Sequence, residues 1–137
     1  MITALVTKEK ISVDSLAESL KTNQAGAVAS FSGDVRDNDA DKQVTSLTYE
    51  IHPTAQSVIE EITHRIAAKH DVVGVAVAHR YGEIAMGETA FAVVVTAVHR
   101  GPAFAACEEI VSTVKTELPI WKHQVFADGT TEWVNSA

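Results

Sequence analysis

Apolar residues recur along this chain with two different periods, and the switches between them predict the order of its elements. After an opening strand, Val13, Leu16, Ala17 and Leu20 repeat at helical spacing behind Ser12, whose hydroxyl suits an N-cap. Asn23 and Gly26 in "KTNQAG" end that short helix. "AVASFSG" (27–33) reads as a strand, and the polar "DVRDNDADKQ" (34–43) as a mobile loop. In "VTSLTYEI" (44–51), Leu47, Tyr49 and Ile51 fall on one face and Thr48 and Glu50 on the other, which predicts a half-buried strand.

Pro53 opens the next helix, over 53–70, with Ala55, Ile59, Ile62 and Ile66 on the apolar face. "VGVAVAHRYG" and "TAFAVVVTAV" follow as strands separated by "EIAMGE". A helix over 102–117 starts at Pro102, with Phe104, Cys107, Val111, Val114 and Leu118 as its expected buried stripe. Pro119 stops it, "IWKHQVF" returns as a strand, and "ADGTTEWV" gives an Asp-Gly turn and a last short strand. Hairpin-like and crossover connections are mixed, so the fold class is α+β.

Composition narrows the setting. The 137 residues suit a single domain, 1–137, and show no internal repeat, low-complexity stretch or linker. A net charge of −7 argues against general binding to a nucleic acid backbone, which needs broad basic surface. The apolar run "FAVVVTAV" is far short of the ~20 residues that span a bilayer. The start lacks the pattern of a secretory leader, and the one cysteine, Cys107, has no partner for a disulfide, so a cytoplasmic protein without a membrane is expected. Cys107 sits on a buried stripe and reads as core. The histidines form no H-x-x-x-H or H-x-H pair, and neither a metal nor a cofactor is expected.

Against this acidic background, "VHRGPAFAACEEIVSTVKTELPIWKHQ" (98–124) gathers His99, Arg100, Lys115, Lys122 and His123. His99 and Arg100 fall at a strand-to-helix junction, where free N–H groups and the positive dipole end favour an anion, and Arg100 adds a planar fork of donors. Lys115 falls in the last turn of that helix and Lys122 in the strand beyond Pro119, and a chain reversal between them would allow both to reach one cleft. Two lysines sharing a cleft repel, which makes a neutral amine available as base or nucleophile. Arg36 stands on the loop after "SFSG", from which a side chain can close over a ligand. Each has a plainer reading: a solvated Arg beside a capping His, a lysine complementing the dipole, a solvated loop residue.

Taken together and in order, "FSGDVRDND", "LTYEIHPTAQ", "VAHRYGEIAMGE", "VTAVHRGPAF" and "VKTELPIWKHQ" resemble the catalytic large subunit of molybdopterin synthase, over about residue 26 to Val134. The resemblance implies an α/β hammerhead with additional antiparallel strands. It also implies a sulfurtransferase of molybdenum cofactor biosynthesis that converts cyclic pyranopterin monophosphate to molybdopterin. The sulfur would come from the C-terminal glycine thiocarboxylate of a small ubiquitin-like subunit. By motif position, Lys115 and Lys122 would be catalytic, Arg36, His99 and Arg100 would bind the anionic substrate, and Phe31 would line the pocket. A homodimer within a heterotetramer is implied, each pocket completed by the neighbouring large subunit.

Many relatives carry an arginine where Glu132 precedes Trp133, and the chain stops at Ala137 soon after its last strand, which leaves contacts from that region open. A non-catalytic anion-binding or partner-docking module is the alternative reading of the same cations.

Overall fold

The computed structural model describes residues Met1–Ala137. In chain order the elements are β1 (Ile2–Thr7), α1 (Val13–Ser19), β2 (Ala27–Asp34), β3 (Asn38–Asp39), β4 (Lys42–Ile51), α2 (Ala55–Ala67), β5 (Gly74–Arg80), β6 (Gly82–Glu83), β7 (Thr89–Ala97), α3 (Arg100–Glu117), β8 (Ile120–Phe126) and β9 (Thr131–Val134). One sheet has the order β1-β5-β7-β2, with β1 parallel to β5 and the other neighbours antiparallel. A second sheet runs β3-β4-β8-β9, and β6 adds to β4. This is the expected α+β arrangement, with the antiparallel strands of the second sheet beside the layered first one.

Strands β5 and β7 are covered on both faces, which is why they read as unbroken apolar runs instead of alternating ones. Val75, Val77, Val93 and Val95 join the core that includes α2 and α3, while Ala76 and Val94 pack with Leu20, just past α1. On α2 the expected face is the buried one: Ala55, Ile59, Ile62 and Ile66 are 0–1% exposed. Burying each isoleucine contributes on the order of 2–3 kcal/mol before chain entropy is counted. No helix is long and apolar enough to cross a membrane.

Several expectations change. Helix α2 begins at Ala55 behind Thr54, so Pro53 lies before the cap and shapes the approach instead of the first turn. Helix α3 starts at Arg100, two residues early, with Pro102 still inside its first turn, where a missing N–H costs nothing. Its buried stripe is Ala103, Ala106, Cys107, Ile110 and Val114. Phe104, one position off that stripe, is 65% exposed. Small alanines let the helix lie close to the sheet, and a stripe weighted toward large residues misses them.

The segment expected to be a mobile loop is largely a hairpin. Asn38 pairs with Gln43 and Asp39 with Lys42, leaving Ala40 and Asp41 as a two-residue turn. Both take positive φ, 51° and 65°, which matches the right-handed twist of the flanking strands but is unusual for residues with a Cβ. Val44 N–H donates to Asp37 C=O at 2.7 Å, and Val35 exchanges backbone bonds with Glu88 and Gly87, so the segment is tied at both ends.

Candidate active site

The β4–β8 ladder builds one wall of a cavity of about 250 Å³. In that ladder Lys122 pairs with Tyr49 and Gln124 with Leu47, and all four side chains line the cavity. Along β8, Ile120, Lys122, Gln124 and Phe126 share one face, and all except Lys122 are buried. Lys122 therefore occupies a core-facing position at the point where the core opens. The end of α3 brings Lys115 to the same space, and the segment after β2 brings Arg36.

None of Lys115, Lys122 and Arg36 takes part in a salt bridge, whereas Lys10, Lys42, Arg65, Lys69 and Arg80 each pair with a carboxylate. Asp34, which also lines the cavity, is held by the hydroxyls of Ser32 and Thr89 at 2.6 and 2.8 Å, and these bonds lower its pKa. The cavity thus presents three cationic side chains, none of them paired with an Asp or Glu side chain. Partial burial pushes the Lys115 ammonium below the ordinary lysine range, and the neighbouring charge of Lys122 pushes it further the same way. Its Nζ donates to the backbone oxygen of Ala137 at 3.3 Å.

Behind Tyr49 lies His79, 0% exposed. Its ring meets Tyr49 edge-on at 4.9 Å and stacks on Phe91 at 5.3 Å. Nδ1 donates to the Arg80 carbonyl at 2.8 Å, so the Nδ1–H tautomer is present, and buried Nε2 has no partner. Burial lowers its pKa to about 4 and keeps the ring neutral. Burial also pushes the Tyr49 phenol up to about 12, so it remains a donor at working pH.

The other residues singled out from the sequence fall elsewhere in the chain. His99 and Arg100 are exposed at the start of α3, and His99 makes no side-chain capping bond. Lys115 lies about 22 Å further along the same helix axis, so within one chain these cations cannot reach one ligand. Phe31 lines a separate groove with Phe104 and Cys107, and its ring meets Phe91 of the cavity wall edge-on. Burial raises the Cys107 thiol pKa, in keeping with a core residue. No group of three or more His, Cys, Asp or Glu side chains is placed to hold a metal ion.

The family described as "MoaE protein" matches residues 6–117. This chain belongs to the MoaE family. Among its relatives, the molybdopterin synthase catalytic subunit of Aspergillus niger is 36% identical over 83% of this chain and 64% of its own length. That of Thermoplasma volcanium is 31% identical over 93% of this chain and 94% of its own length. The chain therefore spans slightly less than two thirds of the fungal relative and nearly all of the archaeal one. The crystal structure of molybdopterin synthase from Staphylococcus aureus superposes with a TM-score of 0.86 at 27% identity, covering 94% of each chain.

Sequence reasoning missed Tyr49, Gln124 and Asp39 at this MoaE-family site. Gln124 carries a readable signal: with Lys122 it interrupts the apolar phase of β8, and polar residues in that phase mark an opening in the core. Asp39 carries none, because only the hairpin register brings it to the cavity.

Proposed function

We propose that this chain is the catalytic subunit of a molybdopterin synthase, a single-domain cytoplasmic sulfurtransferase acting on cyclic pyranopterin monophosphate. The observation that carries the reading is the cavity holding Lys115, Lys122 and Arg36 with no Asp or Glu side chain paired to them. Substrate and sulfur donor are both anions, one a phosphate ester and the other a thiocarboxylate. Fixed cations hold them together and stabilise negative charge as sulfur moves. The lowered pKa of Lys115 supports its role nearest the chemistry, taking up protons or transiently holding the donor's terminal carbonyl. Lys122 stabilises charge, and Arg36 binds substrate.

The chain acts as a homodimer, with a small ubiquitin-like subunit at each end of the resulting heterotetramer. His99 and Arg100 lie a helix length from Lys115, and they serve the cavity of the neighbouring copy, where they bind the anionic substrate. Phe31 contributes at the edge of that junction. Names of relatives such as those from A. niger and T. volcanium support the activity.

Purified chain, thiocarboxylated small subunit and cyclic pyranopterin monophosphate should together yield molybdopterin, detected as its fluorescent oxidation product. Folded components that form a complex without product would favour a non-catalytic docking module.

A further inference from the structure

The cavity also holds a carboxylate that its cations do not neutralise. Asp39 lines it, yet takes part in no salt bridge, although Lys115, Lys122 and Arg36 line the same space. Its Oδ2 instead accepts a hydrogen bond from Gln124 Nε2 at 2.7 Å. Gln124 is 2% exposed, so a buried neutral amide is committed to holding this one carboxylate. The backbone fixes it as well, since Asp39 is paired with Lys42 and followed by the left-handed Ala40.

A carboxylate at the mouth of an anion site weakens anion binding unless it meets a donor on the ligand. Oδ1 accepts nothing from the protein, and Oδ2 keeps a second lone pair. Two such oxygens match a pair of adjacent N–H donors in one plane. The tether to Gln124 holds this acceptor in the lining that Lys122 shares, with the Cα atoms of Gln124 and Lys122 about 7 Å apart along β8.

Resting on the proposed activity, we infer that Asp39, held by Gln124, reads the 2-amino-pyrimidinone edge of the pterin ring, whose ring N–H and exocyclic amino group are adjacent donors. Gln124 is a positioning residue, and the cations that line the same cavity take the phosphate. The acceptor gives the site selectivity for the ring, which cations alone do not supply.

The test separates ring from phosphate. The full chain is titrated with 6-hydroxymethylpterin, with the corresponding 2-oxo pteridine, which lacks the amino donor, and with inorganic phosphate. The wild type should favour the 2-amino ring by about tenfold or more, as sites built around a hydrogen-bonded edge do. Asp39→Asn and Asp39→Ser should lose that preference while binding inorganic phosphate at least as tightly as the wild type, because the carboxylate that opposes an anion is gone. Thermal melts of both variants identify any that misfolds. Equal affinity of the wild type for the two rings, no measurable ring binding, or an unchanged preference in the folded variants would overturn the inference. Molybdopterin formation by the wild type is assayed alongside. Its failure counts against the proposed activity alone, because the ring preference is read without turnover.

Discussion

Lys122 stands directly across the β4–β8 ladder from Tyr49, so a cation and a phenol that stays protonated to about pH 12 share one wall of the cavity. Strand register fixes that pairing. A slip of one residue would turn Lys122 and Gln124 to the opposite face of β8 and empty the site of both.

The chemistry should follow the protonation of Lys115. Its amine is free above its pKa, which burial and then Lys122 hold below the ordinary 10.5, so turnover should rise with pH through a midpoint below that value. In Lys122→Met the midpoint should move partway back up, because burial, the larger cause, remains. Lys115→Ala should lower turnover by about 10²–10⁴ with nearly unchanged affinity for the small subunit. The check is a pH–rate profile of each variant with a binding titration beside it. A midpoint unmoved by Lys122→Met would mean the two amines are not coupled.

Folding stability should carry the mark of His79. The unfolded ring takes up a proton near pH 6.5, and the folded ring refuses it until about pH 4. Stability is therefore full above pH 6.5 and falls as pH drops toward 4, by on the order of 3 kcal/mol. His79→Phe, which keeps an aromatic ring between Tyr49 and Phe91 and removes the orphaned nitrogen, should abolish the decline over that window. Urea titrations at several pH values measure it. Glu88 also loses stabilising charge in acid, but only below its ordinary 4.5 and down to about pH 2, so the two windows are separable.

Mixing variants should test whether two chains share a cavity. Lys115→Ala chains and His99→Ala/Arg100→Ala chains should each be poor catalysts at low substrate. Refolded together, they should recover activity in roughly a quarter of the sites, the fraction in which both intact halves meet. No recovery in samples shown to contain mixed dimers would place His99 and Arg100 outside the site.

Two positions on α3 should differ sharply in their effect on stability. Ile110, 0% exposed, should cost about 2–5 kcal/mol as Ile110→Ala, because the close-packed interior collapses only partly around the lost volume. Phe104→Ser should change the stability of the isolated chain by no more than about 0.5 kcal/mol, since that ring is 65% exposed. Denaturant melts at low protein concentration decide between these values.

Much of this was legible from one dimension. The unbroken runs of β5 and β7, the Ala55–Ile59–Ile62–Ile66 face and the turn at Pro119 are local patterns, and local patterns survive in sequence. Lys115 and Lys122 could be joined because a short turn separates them. Asp39 and Gln124 are 85 positions apart, and nothing local announces a bond between them. His79 looked like one more residue in an apolar strand, and its burial between two rings is a product of sheet order. His99 and Arg100 lie near Lys115 in the sequence and far from it in one chain, because a helix turns closeness along the chain into distance along an axis. Phe104 failed for a different reason, since size was read as depth while alanines did the packing.

The left-handed pair Ala40 and Asp41 has a consequence for how a ligand arrives. Each such residue costs about 1–2 kcal/mol against the ordinary helical conformation, and the ladder bonds on either side hold the corner in place regardless. The corner that carries Asp39 has few other shapes to visit. If Asp39 reads the ring as inferred above, the ring meets an acceptor already in place, with little disorder left to surrender on contact. The acceptor at this rim stands on a stretch of main chain that is fixed at folding, before any ligand is encountered.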